Sequence, residues 1–310
     1  MERPSFTHTI ESDLATAFMR LLPASASVTH QYATACQALH VQRQQIVASL
    51  DKDWDQLPHR ETTRDLLINY YQQISSPPIC HVLTAGARVR PDAKFFWRDA
   101  QGFAQKVKDK SGRLEMCNIV YNIGVASACM AVETIEGPRR HERLQEAKNL
   151  FAEAAGAFVH CLELINEGGF DPVYNPGKVN MEIRREVLEG LAGVMAAYGM
   201  RCFYEKAVED GKSAGILAKI AHQAVQMYEK ASEGLKNTMA VGGKNHHRWL
   251  LGWQVYLDIE AQYFLAMSRI HAADHSENDS PAKALCHLKI AKQILDQVYS
   301  ASNSTSNKLG

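Results

Sequence analysis

Apolar side chains recur at three- and four-residue spacing along almost the whole of this 310-residue chain, and alternating or β-branched runs are scarce. Only an α-helix turns that spacing into one continuous face, so the chain is read as all-α. The pattern predicts helices over Glu11–Leu22, Val28–Leu50, Glu61–Ile74, Gly112–Ile135, Glu142–Asn166, Met181–Glu209, Lys212–Lys236, His247–His271 and Pro281–Tyr299, with ends placed to about 2–4 residues. Thr7 to Ile10 reads as a short extended piece and leaves room for a small β-hairpin near the N-terminus. Between the helices stand Ser75-Ser76-Pro77-Pro78, Gly137-Pro138, Gly168-Gly169 through Pro176-Gly177, Asp210-Gly211 and Gly242-Gly243. Glycine reaches left-handed angles freely and proline lacks an N–H donor, so both end helices.

Short connections make sequence neighbours antiparallel neighbours in space. The expected architecture is an elongated, curved array of long antiparallel helices with a tetratricopeptide-like core. No fixed repeat period supports a true solenoid. Even apolar patterning favours a single helical domain over residues 1–300, and the small, polar run from Ala301 to Gly310 is expected to be a disordered tail.

Thirty-four Lys plus Arg balance 34 Asp plus Glu, so no net field draws the chain to nucleic acid or anionic lipid. Arg139, Arg140, His141 and Arg143 form the densest basic cluster, interrupted by Glu142. A solvated helix start accounts for it, and at most it gives weak, salt-sensitive contact with an anionic membrane. The seven cysteines are odd in number, widely spaced and never paired closely, which suits reduced thiols in a cytoplasmic protein rather than a disulfide framework or a zinc site. The N-terminus lacks the basic and apolar regions of a secretory signal. The most apolar stretch, Cys117 to Val132, is too short to span a bilayer and carries Asn118 and Asn122, which marks a buried helix.

Patterns whose spacing implies chemistry are missing. Gly242-Gly243-Lys244-Asn245 lacks the hydroxyl residue and the preceding strand of a phosphate loop, so a turn explains it. His271 and His275 stand four apart near a helix end, but no Glu follows His271 and no third ligand is specified; capping or solvated histidines are the simpler account. His246 and His247 beside Trp249 receive the same reading. The chain is therefore expected to be no enzyme, with no catalytic residue, cofactor, metal or small-molecule substrate.

One hairpin carries more apolar surface than a single neighbour needs. Ile183, Val187, Leu191, Val194, Tyr198 and Cys202 form one core stripe, and Phe203 lies one step off it. On the following helix Leu217, Ala221, Ala224 and Tyr228 form a stripe, with Ile216, Ile220 and Met227 in a second beside it. Asp210-Gly211 makes a tight turn, with Asp210 read as the cap of the next helix. Counting from that turn at about 1.5 Å per residue puts Phe203 and Ile216 at nearly the same height and Ile220 one turn further along. The three form one apolar spot with Lys206 on its rim. Periodicity alone leaves open whether a third helix buries the spot or water meets it.

Phe96-Trp97-Arg98-Asp99-Ala100, the helix Leu114-Glu115-Met116-Cys117-Asn118-Ile119-Val120-Tyr121-Asn122-Ile123-Gly124, the run Ala154-Ala155-Gly156-Ala157-Phe158, and Phe203-Tyr204-Glu205-Lys206-Ala207 leading to Ile216-Leu217-Ala218-Lys219-Ile220-Ala221 occur in this order. Together, across roughly residues 95 to 295, they resemble the Bro-domain (BRO1-like) family of Alix and its relatives, with a fainter similarity over residues 6 to 75. The resemblance implies that Phe203, Ile216 and Ile220 are exposed anchors on a concave face. It also implies that Lys206 meets an acidic residue of the incoming C-terminal amphipathic helix of an ESCRT-III subunit of the charged multivesicular body protein 4 class. The implied role is a scaffold in endosomal sorting, multivesicular body formation or membrane scission, cytoplasmic and recruited peripherally to endosomes. A Rhophilin-like signalling scaffold without that binding is the alternative, and the retained Phe203, Lys206, Ile216 and Ile220 argue against it. Ala197-Tyr198-Gly199-Met200-Arg201 replaces the family's Ala-Gln-Ala-Gln-Glu run, so polar contacts of that run are not carried over. The loop between Trp97 and Glu115 is shorter than in Alix, and the chain stops before the family's phosphorylatable tyrosine, which suggests a shortened or minimal C-terminal end.

Overall fold

The computed structural model describes residues 8–10, 26–50, 60–77, 79–80, 95–98, 107–109, 112–137, 140–167, 181–241 and 247–309. The predicted helix Glu11–Leu22 and the Gly242–Asn245 turn lie outside them. The long helices are α1 (Ala26–Leu50), α2 (Arg60–Ile74), α3 (Gly112–Glu136), α4 (Leu144–Glu167), α5 (Arg185–Glu209), α6 (Ala214–Val241), α7 (His247–Ser276) and α8 (Pro281–Leu309). Short 3-10 turns at His141–Arg143 and Met181–Ile183 precede α4 and α5, where the sequence pattern placed the first helical turns. The all-α reading holds.

The expected N-terminal extended piece is a strand, but its partner is not local: β1 (His8–Ile10) joins β2 (Phe95–Arg98) and β3 (Val107–Asp109) in a three-stranded antiparallel sheet, in that order. His8 pairs with Arg98 and Phe95 with Asp109. The adjacent antiparallel pair in sequence is β2–β3, far from the N-terminus, and β1 adds to the free edge of β2. α8 runs past Tyr299 to Leu309, through the expected tail, because no Gly or Pro interrupts the chain between Ala282 and Leu309.

The chain divides into two compact units, Met1–Met130 with Gly156–Glu189, and Ala131–Ala155 with Gly190–Gly310. The boundaries fall inside α3, α4 and α5, so each of these helices contributes to both.

The first unit is organised around a buried carboxylate. Glu115, fully buried near the start of α3, accepts hydrogen bonds from Arg43 Nε of α1 at 2.7 Å, Tyr70 Oη of α2 at 3.1 Å and Trp97 Nε1 of β2 at 2.8 Å. An isolated charge could not be buried there; the guanidinium and two neutral donors replace its water. Burial of Arg43 favours its neutral form, and the Glu115 carboxylate overcomes this and raises its pKa. Burial, with Glu115 alongside, pushes the Tyr70 hydroxyl well above its ordinary range.

α3 meets criteria of length and apolarity for a membrane span, yet 89% of its apolar window is buried inside the protein. Asn118 is accommodated there because its Nδ2 donates to Leu114 O at 2.9 Å. α4 packs against α3 in the opposite sense: Tyr121 meets Phe158, and Cys161 Sγ reaches Cys117 O. Cys117, Cys129, Cys161 and Cys202 are buried, Cys80 is half-buried and Cys286 is exposed on α8.

In the second unit, contacts between successive helices pair rising with falling residue numbers, the mark of antiparallel neighbours. α4 meets α5 through Phe151 and Tyr198, α5 meets α6 through Tyr198 and Tyr228, and α6 meets α7 through Tyr228 and Phe264. Leu265, Ala266 and Ile270 of α7 pack with Ile290, Ala291 and Ile294 of α8.

The α5–α6 turn closes with Gly211 at φ +65°, its N–H on Val208 O at 3.0 Å and the Lys212 N–H on Ala207 O at 3.1 Å. This is a Schellman ending, which glycine accepts without strain. Asp210 is not the cap of α6. Ser213 occupies that position, its carbonyl accepting the first helical N–H groups, and the Asp210 carboxylate turns back to Lys206.

Glycines set how closely α5 and α6 approach. A Cβ on Gly190 would stand 3.0 Å from Leu235 Cδ2 and 3.6 Å from the Gly234 backbone, and one on Gly193 would stand 3.4 Å from Ala231 Cα. Gly156 is the opposite case, with open space around its missing Cβ.

Two stability results follow. Replacing Glu115 with Gln, which removes the charged acceptor that Arg43, Tyr70 and Trp97 share, should lower stability in urea denaturation by about 3–5 kcal/mol. Gly190→Val should lose about 1–3 kcal/mol through overpacking, whereas Gly156→Ala should gain up to about 1 kcal/mol from helix propensity alone. Equal effects at the two glycines would show that the helix spacing is not set at Gly190.

Candidate docking groove

The buried stripe on α5 is the predicted one: Val187, Leu191, Val194, Tyr198 and Cys202 are all core residues. Phe203, one step round the helix, is 39% exposed. Ile216 is 48% exposed, Ile220 is half-buried, and the Lys206 side chain is 40% exposed. The spot that periodicity left ambiguous thus meets water.

The register set by the glycine contacts corrects its internal layout. With Gly190 against Gly234 and Gly193 against Ala231, Phe203 stands level with Ile220. Ile216 lies about one turn nearer the hairpin end. Counting from Asp210 had matched Phe203 to Ile216 because it began α6 too early; Ser213 separates the turn from the helix.

Phe203 also borders a groove of about 490 Å3 that the hairpin alone does not reveal. Met195, Ala196, Gly199, Met200 and Phe203 of α5 form its floor. Lys148, Ala152 and Ala155 of α4 form one side, and Gln223 of α6 the other. Small side chains at Ala152, Ala155, Ala196 and Gly199 keep it open. Gln223 continues the α6 stripe of Ile216 and Ile220 at helical spacing, which ties that stripe to the same opening.

One ammonium group lines the groove and a second stands one turn from Phe203 along α5. Lys148 Nζ lies 4.9 Å from the centroid of the Phe203 ring. Lys206 Nζ donates to Asp210 Oδ1 at 2.6 Å. That hydrogen bond raises the Lys206 pKa and lowers that of Asp210, so the pair keeps its charges below the usual carboxylate range.

Beneath the floor a polar network ties α5 to α7. Arg201 Nε donates to Glu205 at 3.0 Å, and its Nη1 donates to Glu260 at 2.8 Å and Tyr256 Oη at 3.1 Å. Burial would lower the Arg201 pKa, but Glu260 and its neighbours raise it further than burial depresses it. The divergent Ala197–Arg201 run therefore carries a polar anchoring of its own.

The basic cluster and the histidines are engaged elsewhere. Arg140 pairs with Glu205, His141 Nδ1 with Glu209 at 2.5 Å and Arg143 with Glu146 at 2.7 Å. His271 Nε2 meets the Tyr204 hydroxyl at 2.8 Å, and the His275 ring lies against Gly215, so the two histidines address different helices. Among the described residues no group of three His, Cys, Asp or Glu side chains converges on a metal position.

Sequence reasoning pointed to Phe203, Lys206, Ile216 and Ile220; of these Phe203 lines the groove, and its other lining residues Lys148, Ala152, Ala155, Met200 and Gln223 were not indicated. The small-residue run Ala154-Ala155-Gly156-Ala157 marked α4 as a helix others approach closely. It did not say which face is left bare.

Comparison with known proteins gives concordant results. The BRO1-like domain matches residues 5–309. The vacuolar protein-sorting protein bro1 of Aspergillus fumigatus is 28% identical over 233 residues, covering 74% of this chain and 21% of its own length. The vacuolar protein-sorting protein BRO1 of Cryptococcus neoformans is 26% identical over 299 residues, covering 96% of this chain and 28% of its own. The chain thus spans about a quarter of the length of these curated relatives. In the ALIX BRO1–CHMP4C complex, one chain superposes with a TM-score of 0.76 at 19% identity, over 98% of this chain and 81% of that one, which shows a shared fold. A match across nearly all of its length makes this chain a member of the BRO1-like domain family.

Proposed function

We propose that this chain is a non-enzymatic adaptor that receives the C-terminal amphipathic helix of an ESCRT-III subunit of the charged multivesicular body protein 4 class. Phe203, Ile216 and Ile220 act as apolar anchors and Lys206 as a rim cation. The observation that carries the reading is the water-facing state of Phe203 and Ile216 beside an open groove. A contiguous apolar surface of this kind, edged by charge, is uncommon on a protein with nothing to bind. Helix-in-groove recognition draws its affinity from a few such anchors. The partner class is supported by the fold shared with the BRO1 chain of a CHMP4C complex, and a role in endosomal sorting by the vacuolar protein-sorting names of the relatives.

Peripheral recruitment to endosomes from the cytoplasm then comes from the protein partner. Arg140, His141 and Arg143 each stand beside a carboxylate, which leaves these three little free charge for anionic lipid.

Titration of the chain with a C-terminal helical peptide of CHMP4C tests the proposal. The wild type should bind, and Ile216→Asp should lose at least about 2 kcal/mol, roughly a thirtyfold weakening, with an unchanged melting transition. No binding by the wild type would leave a scaffold of the Rhophilin kind.

A further inference from the structure

The two cations beside Phe203 differ in what already holds them. Lys206 is already paired with Asp210, four residues on, in the turn that ends its helix. Lys148 has no such partner: the residues three and four positions away on α4 are Leu144, Gln145, Phe151 and Ala152, none of them acidic. Among the described residues no carboxylate stands within ion-pair distance of its Nζ. Its charged end instead lies over the Phe203 ring, on the wall opposite Gln223.

We propose that Lys148, rather than Lys206, is the specificity-determining cation of the groove, selecting a helix that carries a carboxylate close to the apolar side chain it buries against Phe203. This rests on the docking reading above. Lysine is suited to the task because its stem covers apolar surface while its ammonium stays at the edge. An incoming apolar side chain displaces water from the groove and lowers the local dielectric, so a carboxylate beside Lys148 is attracted more strongly than it would be on an open surface. A helix with a neutral or basic residue there would strip water from the ammonium and return nothing, which is how a groove built of Ala, Gly and Met discriminates among equally greasy helices. Lys206 already has the Asp210 carboxylate beside it, so a second carboxylate gains less there than at Lys148.

The experiment uses the whole chain and the CHMP4C C-terminal peptide, alone and with each acidic residue changed singly to its amide. Lys148→Met retains the stem and removes the charge; Lys206→Met and Ile216→Asp are run beside it. Lys148→Met should weaken binding about fivefold or more and flatten its dependence on salt, while Lys206→Met should change it by less than about twofold. One amide peptide should bind the wild type and Lys148→Met equally, identifying the carboxylate. Unchanged affinity in Lys148→Met, with Ile216→Asp still abolishing binding, overturns the role of Lys148 and leaves docking intact. A larger loss in Lys206→Met than in Lys148→Met overturns it as well. If the wild type binds none of the peptides, or Ile216→Asp binds as the wild type does, docking and this inference fall together.

Discussion

The close approach of α5 and α6 is the constraint on which the groove depends. Gly190, Gly193 and Gly234 let the two backbones come nearer than side chains would permit, and that contact fixes the register. Register in turn puts Phe203 level with Ile220 and aims Gln223 across the floor. A methyl group at Gly190 would be felt at the floor, which begins at Met195 further along the same helix, because close-packed helices transmit displacement rather than absorb it.

Beneath that contact the second unit is held by aromatic rings and by the half-buried Arg201. Tyr198 contacts Phe151, Tyr228 and Tyr256, so one side chain links α4, α5, α6 and α7. Arg201, three residues on, ties α5 to α7 through Glu260 and Tyr256. Both lie in the run where this chain departs from its family's usual pattern, and both serve to hold α5 in place under the groove. In the first unit Glu115 plays the corresponding part, joining α1, α2, α3 and β2 at one carboxylate.

What was legible in the sequence was whatever depends on local spacing. The 3.6-residue period located the helices, Asp210-Gly211 located the hairpin, and the off-seam positions of Phe203, Ile216 and Ile220 marked surplus apolar surface. Features decided by distant residues were not legible. The α4 wall of the groove, with Lys148 over Phe203, joins residues more than fifty positions apart. The pairing of Asp210 with Lys206 in place of a capping role depends on where α6 begins, which Ser213 decides. The continuation of α8 to Leu309 reflects the lack of a stop signal, to which a run of Ser and Asn is a poor guide. Exposure itself is a statement about what does not pack on a face, and periodicity carries no information on that.

The central claim is that Phe203 faces water until a helix covers it. Hydroxyl-radical footprinting read by mass spectrometry measures this side chain by side chain, with Phe151 and Phe158 as buried references. Phe203 should be oxidised readily in the free chain and become protected when the CHMP4C peptide is added, while the two references stay unreactive throughout. Protection of Phe203 in the free chain equal to that of Phe151 would contradict the account.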